Sequence, residues 1–406
     1  MTDRTAAAGV PAFAAFFSNA GHAYSHLLTM LYPTVVLALE RSWGLTYGEL
    51  ITLMLAGQIL FGAAALPSGW LGDRWSAVGM MTIFFLGTGA AAIATGLART
   101  PLEIAFGLAA IGLFASIYHP VGMAWLVRMA ENRGRALGVN GIYGAVGIAL
   151  APLVAAALTD LVSWRAAFIV PGASAVLFGL ALWVAWRAGK VEDVAVDAKP
   201  MPEPAKGDVK RAFFLLSVTM TCVGFVGSTM SIVLPKLFEQ RIDGLGEGTL
   251  GTGTMVAAVY LIAATGQYVG GRLADRFAMK RVYLTCYAVV TPCLFLAAAL
   301  DSWALLAVAM AAVYLNIASL PSENAMLAHF TPANWRATAY GAKFVLALGV
   351  AAAAVPVAGW VQDSFGDFYW LFVAMGVAGS LVVLFGLALP SDRAAPKPAL
   401  TPQPAE

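Results

Sequence analysis

Charge is what this chain most lacks. Of its 406 residues only 11% are charged, against 60% hydrophobic, and the mean hydropathy is +0.79. A water-soluble domain carries about 25% charged residues. A chain this poor in charge cannot cover its surface with polar groups, so lipid must cover most of it. The class is an all-α, polytopic membrane protein. Cysteine is scarce too. Cys222, Cys286 and Cys293 all lie in apolar runs, which argues against a disulfide framework. A net charge of +2 gives no footing for a nucleic-acid partner. The sequence has no phosphate loop of the G-x-x-x-x-G-K-S/T type, no nucleophile constellation and no soluble catalytic domain. Enzyme function and ATP-driven transport are therefore disfavoured, and no cofactor or resident metal is expected. The opening "MTDRTAAAGV" has no basic n-region, so the first apolar run reads as a retained helix and not a signal peptide.

What is present is a series of long apolar runs. A helix needs about 20 such residues to cross roughly 30 Å of hydrocarbon. Twelve runs of that kind fall near residues 10–38, 46–69, 76–98, 101–127, 135–159, 164–187, 211–238, 248–271, 280–300, 303–329, 336–360 and 367–389. The stretch "RAGKVEDVAVDAKPMPEPAKGDVKR" between the sixth and seventh is polar and proline-bearing, the mark of a solvated linker. The organisation expected is a six-helix bundle over 1–187, a cytoplasmic linker over 188–210, a second bundle over 211–390 and a disordered tail over 391–406. With both termini inside, most of the 24 basic residues face the cytoplasm, and only Arg41, Arg99, Arg165, Lys236 and Arg241 fall outside. That asymmetry satisfies the positive-inside rule and places the chain in the inner (plasma) membrane.

The halves resemble each other. "GWLGDRW" (Gly69–Trp75) follows the second run and "GRLADRF" (Gly271–Phe277) the eighth. "RGRALG" opens the fifth run and "NWRATAYG" the eleventh. Doubled six-helix units are common in secondary transporters, with the substrate site between the halves near the midplane. Both seven-residue motifs resemble the loop signature of the major facilitator superfamily, and the resemblance covers the whole chain. Gly69, Gly72 and Gly271 would let neighbouring helices approach closely. Asp73, Arg74, Asp275 and Arg276, with Arg135 and Arg336 at nearby helix ends, would form a cytoplasmic gate. "GLFASIYHPVGMAWLVRMA" and the glycine-rich fifth run are similar to the fosmidomycin-resistance branch of that superfamily. Gly144, Gly147 and Pro152 also resemble the proline-glycine motif of drug/proton antiporters, although Ala151 stands where a glycine is usual. These resemblances imply an exporter.

Ionisable groups inside a membrane are costly and mark pathways. His22 and His26 are four residues apart and so share one face of the first helix. His119 lies about two-thirds along the fourth. An imidazole titrates near pH 6.5, which suits a proton carrier. These three rings are expected to line one aqueous chamber between the halves. In the second half, Glu323 and Lys343 lie at matching depth on the tenth and eleventh helices and are expected to form an ion pair or share a proton. Glu323 is the first candidate for the coupling protonation site. Tyr24, Gln58, Tyr118, Asn140, Tyr143, Tyr260, Gln267 and Asn316 are polar residues within apolar runs, and candidates to line the cavity. The function expected is a proton-coupled exporter of a small organic molecule. It would act as a monomer, with the substrate, protons and the lipid bilayer as partners. The alternatives are an organic-anion importer or exchanger and, ranked lower, a divalent-metal transporter or a non-transporting membrane sensor.

Overall fold

In the computed structural model, residues 12–130, 133–193, 209–245, 248–331 and 336–390 are described. The expected tail and most of the linker lie outside the described residues. The fold is all-helical, with twelve spans. They are α1 (residues 12–43), α2 (Tyr47–Arg74), α3 (Ala77–Gly96), α4 (Pro101–Met129), α5 (Arg133–Leu161) and α6 (Ala166–Arg187), then α7 (Val209–Arg241), α8 (Leu250–Arg276), α9 (Met279–Ala299), α10 (Ser302–Phe330), α11 (Arg336–Phe365) and α12 (Tyr369–Leu387). Helices are what such a sequence must form, because lipid offers no partner for an unpaired backbone group. Among the described residues, nine of the spans are long and apolar enough to cross a bilayer by length and hydropathy alone.

Three spans in the first half are interrupted. The α1 helix breaks at Leu31, two residues before Pro33, whose ring nitrogen cannot donate. In α2, Leu53 and Met54 drop to i→i+3 bonds of 3.0 and 3.2 Å. In α4, one wide π turn runs from Tyr118 to Gly122 around Pro120.

The packing repeats between the halves. In the first, α1 lies on α5, α2 on α4 and α3 on α6. In the second, α7 lies on α11, α8 on α10 and α9 on α12. Two seams join the halves, α5 along α8 and α2 along α11.

The end of the bundle that carries the Gly69–Trp75 motif is the motif end, and the opposite end is the far end. At the far end the halves are tied twice over by the same device. Asp160, at the tip of α5, accepts from the backbone N–H of Thr249 and of Leu250, each at 2.7 Å, and from the Thr249 hydroxyl at 2.9 Å. Asp363, at the tip of α11, accepts from the backbone N–H of Gly48 at 3.0 Å and from the Thr46 hydroxyl at 2.7 Å. Asp160 and Asp363 are 203 positions apart, as are Thr46 and Thr249. Each carboxylate thus sits on the N-terminus of a helix of the other half, where unpaired N–H groups favour an anion. Lys236 adds bonds to Glu40 at 2.8 Å and Glu239 at 3.0 Å, and Arg41 pairs with Glu239. Among the described residues no hydrogen bond or ion pair joins the halves at the motif end.

A lost side-chain cap costs about 1 kcal/mol. Removing both carboxylates, as Asp160→Ala with Asp363→Ala, is expected to raise far-end opening about tenfold or more at about 1.4 kcal/mol per decade. Labelling of Thr34→Cys by a membrane-impermeant maleimide, in a background without the native cysteines, measures it. An unchanged labelling rate contradicts the assignment.

Candidate functional site

Two polar clusters occupy the interior, one in each half. The first lies where α1, α4 and α5 meet. His22, 8% exposed, donates from Nδ1 to the backbone carbonyl of Asn140 at 2.8 Å. Its ring stacks on Tyr118, centroids 5.0 Å apart. The Tyr118 hydroxyl lies 2.8 Å from the amide nitrogen of Asn140, which also donates to Asn19 at 3.0 Å. His26 lies 5.1 Å from His22 by ring centroids, and His119 lies 5.4 Å from both. The π turn carries His119, and turns of this kind recur at functional sites.

Glycine makes the arrangement possible. A Cβ at Gly144 would stand 2.5 Å from the His22 ring, and one at Gly147 would stand 2.3 Å from the Ala23 carbonyl. Both residues let α5 close on α1. The three rings therefore converge inside the first bundle, with His22 covered by α5 and His26 and His119 partly accessible. From the sequence all three are expected to face a chamber between the halves; α5 packs over His22, while His26 and His119 keep partial access.

The second cluster lies where α9, α10 and α11 meet. Glu323 is 1% exposed, and its Oε1 stands 2.5 Å from the ammonium of Lys343. Tyr283 donates to Oε2 at 3.2 Å, and Lys343 also donates to Asn324 at 2.6 Å. One turn along α9, Tyr287 accepts from Asn316 at 2.6 Å. Charges taken out of water need a partner and further hydrogen bonds to hold them, and this site supplies both. Among the described residues no hydrogen bond or ion pair links this cluster to the histidines.

The other candidates divide. Tyr24 does not join the histidines. Two residues from each, it falls on the opposite face of α1 and donates to Ser174 of α6 at 2.8 Å. Tyr260 bonds Ser231 at 3.0 Å and, with Thr34, Pro152 and Pro235, lines a cleft between the halves about the size of one water molecule. Gln58 is buried within the first half, and Tyr143 is 43% exposed. Gln267 lies across the α5–α8 seam from Gly141.

At the motif end, Gly69 and Gly72 admit Pro120 and Val121 of α4, and Asp73 pairs with Arg128 within the same half. Arg74 stacks over Trp70. Gly271 has open space around its Cβ position, so the close approach expected there does not occur. Gly270 makes it instead, where a Cβ would fall 2.0 Å from the Ala318 carbonyl of α10. Asp275 and Arg276 are exposed. The side chains of Arg135 and Arg336 lie outside the described residues. Sequence reasoning missed Tyr283, Tyr287 and Asn324, along with Asp160 and Asp363. The i, i+4 tyrosines of α9 and the matched spacing of the aspartates were the available signals.

Removing one partner of a buried pair costs about 3–5 kcal/mol, whereas replacing both with apolar residues is close to neutral. Lys343→Met is therefore expected to lower the thermal melting temperature of the purified protein, and Glu323→Leu with Lys343→Met to recover most of the loss. A double variant less stable than the single one contradicts a tightly coupled pair.

A sequence profile of the Major Facilitator Superfamily matches residues 12–342 and 242–405. No curated protein sequence matches the chain. Among solved structures, the fold is similar to a bacterial homolog of the human lysosomal transporter Spinster in an inward-facing, unoccupied conformation. The TM-score is 0.76 at 13% identity, over 97% of this chain and 100% of that one. The same homolog in an inward-facing, occupied conformation gives 0.72 at 14% identity, over 94% of each chain. The peptide transporter POT in complex with sulfate gives 0.74 at 14% identity, again over 94% of each.

Proposed function

Because this chain belongs to the Major Facilitator Superfamily, and is thus a membrane transporter and not an enzyme, we propose that it is a proton-coupled exporter of a small organic molecule. The observation that carries the reading is the buried Glu323–Lys343 pair, 2.5 Å apart within a helix bundle. A carboxylate held there can take a proton only if the ammonium lets it go, so proton binding and the geometry of α10 and α11 are linked. Residues 1–187 and 211–390 act as the two rocking bodies. The concentration of lysine and arginine toward the motif end supports reading that end, and both termini, as cytoplasmic in an inner-membrane protein.

In this orientation the far-end ties close the outer face, as expected of an inward-facing transporter. In that state the ammonium of Lys343 occupies the carboxylate oxygen of Glu323 that a proton would take, and the proton has left to the cytoplasm. Substrate then enters from the motif end. Breaking the two aspartate caps opens the outer face, where a proton from outside returns to Glu323 and substrate leaves. The resemblance of Gly144, Gly147 and Pro152 to an antiporter motif, and of α4 and α5 to the fosmidomycin-resistance branch, supports the export direction. A second reading, exchange of organic anions, draws on Lys343, which keeps 14% side-chain exposure and could bind a carboxylate.

The test uses purified protein in proteoliposomes. A thermal-shift screen of aromatic cations, carboxylates and phosphonates selects the probe, and a pH dye inside the vesicles reads proton movement. The wild type is expected to move protons against the selected probe, and Glu323→Gln to lose about tenfold or more of that flux while still binding the probe. Proton flux equal in Glu323→Gln and wild type contradicts the reading. Probe flux that needs a counter-anion and ignores the proton gradient establishes the exchanger.

A further inference from the structure

The chain holds only four histidines, His22, His26, His119 and His329, and three of them meet at one point. One donor nitrogen from each of His22, His26 and His119 lies within 4.8 Å of the other two. We propose that these three imidazoles form a binding site for a late first-row divalent cation of the zinc or cobalt type, a role separate from proton coupling at Glu323.

Four features of the cluster point there. Imidazole is the ligand such ions favour among nitrogen and oxygen donors. The Asn140 carbonyl can only accept, so the His22 Nδ1 that bonds it carries the hydrogen, and in the neutral ring the lone pair stays on Nε2. A backbone carbonyl on the far nitrogen is the usual support of a metal-bound histidine. The rings come from two helices held in register, His22 and His26 one turn apart on α1 and His119 on the π turn of α4. Finally, the three ring centroids lie only 5.1–5.4 Å apart, close enough for their nitrogens to converge on one ion.

Metal–nitrogen bonds of 2.0–2.1 Å set tetrahedral donors about 3.3 Å apart. The present spacing is wider, and side-chain rotation of His26 and His119, both partly accessible, brings the donors in. Three protein ligands leave a fourth position open. No carboxylate belongs to the ligand set, so that position would take an anionic oxygen donor, which offsets the charge of the ion.

The test uses full-length protein carrying a tag without histidine, purified in detergent and stripped with chelator. Zn²⁺ is titrated calorimetrically and Co²⁺ by visible absorption. The wild type is expected to bind about one ion per chain with the intense bands of tetrahedral cobalt. His26→Gln and His119→Gln should each weaken binding about tenfold or more, while His329→Gln leaves it unchanged. X-ray absorption at the zinc edge of the wild type gives a readout independent of how the variants fold, expected as three imidazole nitrogens at about 2.0 Å. Absence of saturable binding, a shell with fewer than three imidazoles, or equal weakening by His329→Gln overturns the proposal. Glu323→Gln should leave the cobalt spectrum intact, so this site and the proton-coupling reading can fail separately.

Discussion

A carboxylate inside a hydrocarbon-clad bundle must find its partner within the protein. That requirement governs the second half of this molecule. Glu323 meets it with Lys343, and Tyr283 and Asn324 supply the further hydrogen bonds. The pair ties α10 to α11, so anything that neutralises one member changes how those two helices are held. The first half joins the corresponding helices, α4 and α5, through neutral groups, Tyr118 and Asn140. The two bundles share one architecture but differ in charge. The ion pair that joins two helices is thus found in the second bundle, where the first uses a neutral hydrogen bond.

On the proposed mechanism, the far-end ties turn a local event into a movement of halves. Asp160 and Asp363 each cap a helix that belongs to the opposite bundle, through backbone N–H groups and a threonine hydroxyl. Individual caps contribute about 1 kcal/mol, enough to favour a closed far end and small enough to be broken reversibly. Lys236 lies between Glu40 and Glu239 and adds a cross-half bond that is partly shielded from solvent. Among the described residues the polar ties between the halves gather at the far end. On the proposed mechanism this end acts as the pivot, and the apolar seams of α5 with α8 and α2 with α11 complete the interface.

Much of this was legible in the residues. The apolar runs match the spans because lipid leaves a sequence little choice of secondary structure. Matching the depth of Glu323 and Lys343 worked because rise per residue converts position into height along a straight helix. Facing was harder. Tyr24 sat at the right depth but two residues from each histidine, so it points to α6. Gly271 was read from its place in a motif, yet the neighbouring Gly270 is the residue turned toward α10. The aspartate caps were not found because their backbone partners lie 89 and 315 positions away, and a backbone N–H leaves no mark in the sequence of the residue that donates it.

The most direct test of coupling between the pair and the pivot is a distance measured across the far end as pH is changed. Spin labels at Ser42→Cys and Gln240→Cys, in a background without the native cysteines, report it by pulsed electron resonance in lipid nanodiscs. The account predicts that the wild-type distance distribution shifts between a short and a long population across the pH range. With Glu323→Gln, the same labels should give one distribution that ignores pH. A wild type that does not respond to pH, or a Glu323→Gln variant that titrates as the wild type does, would contradict it.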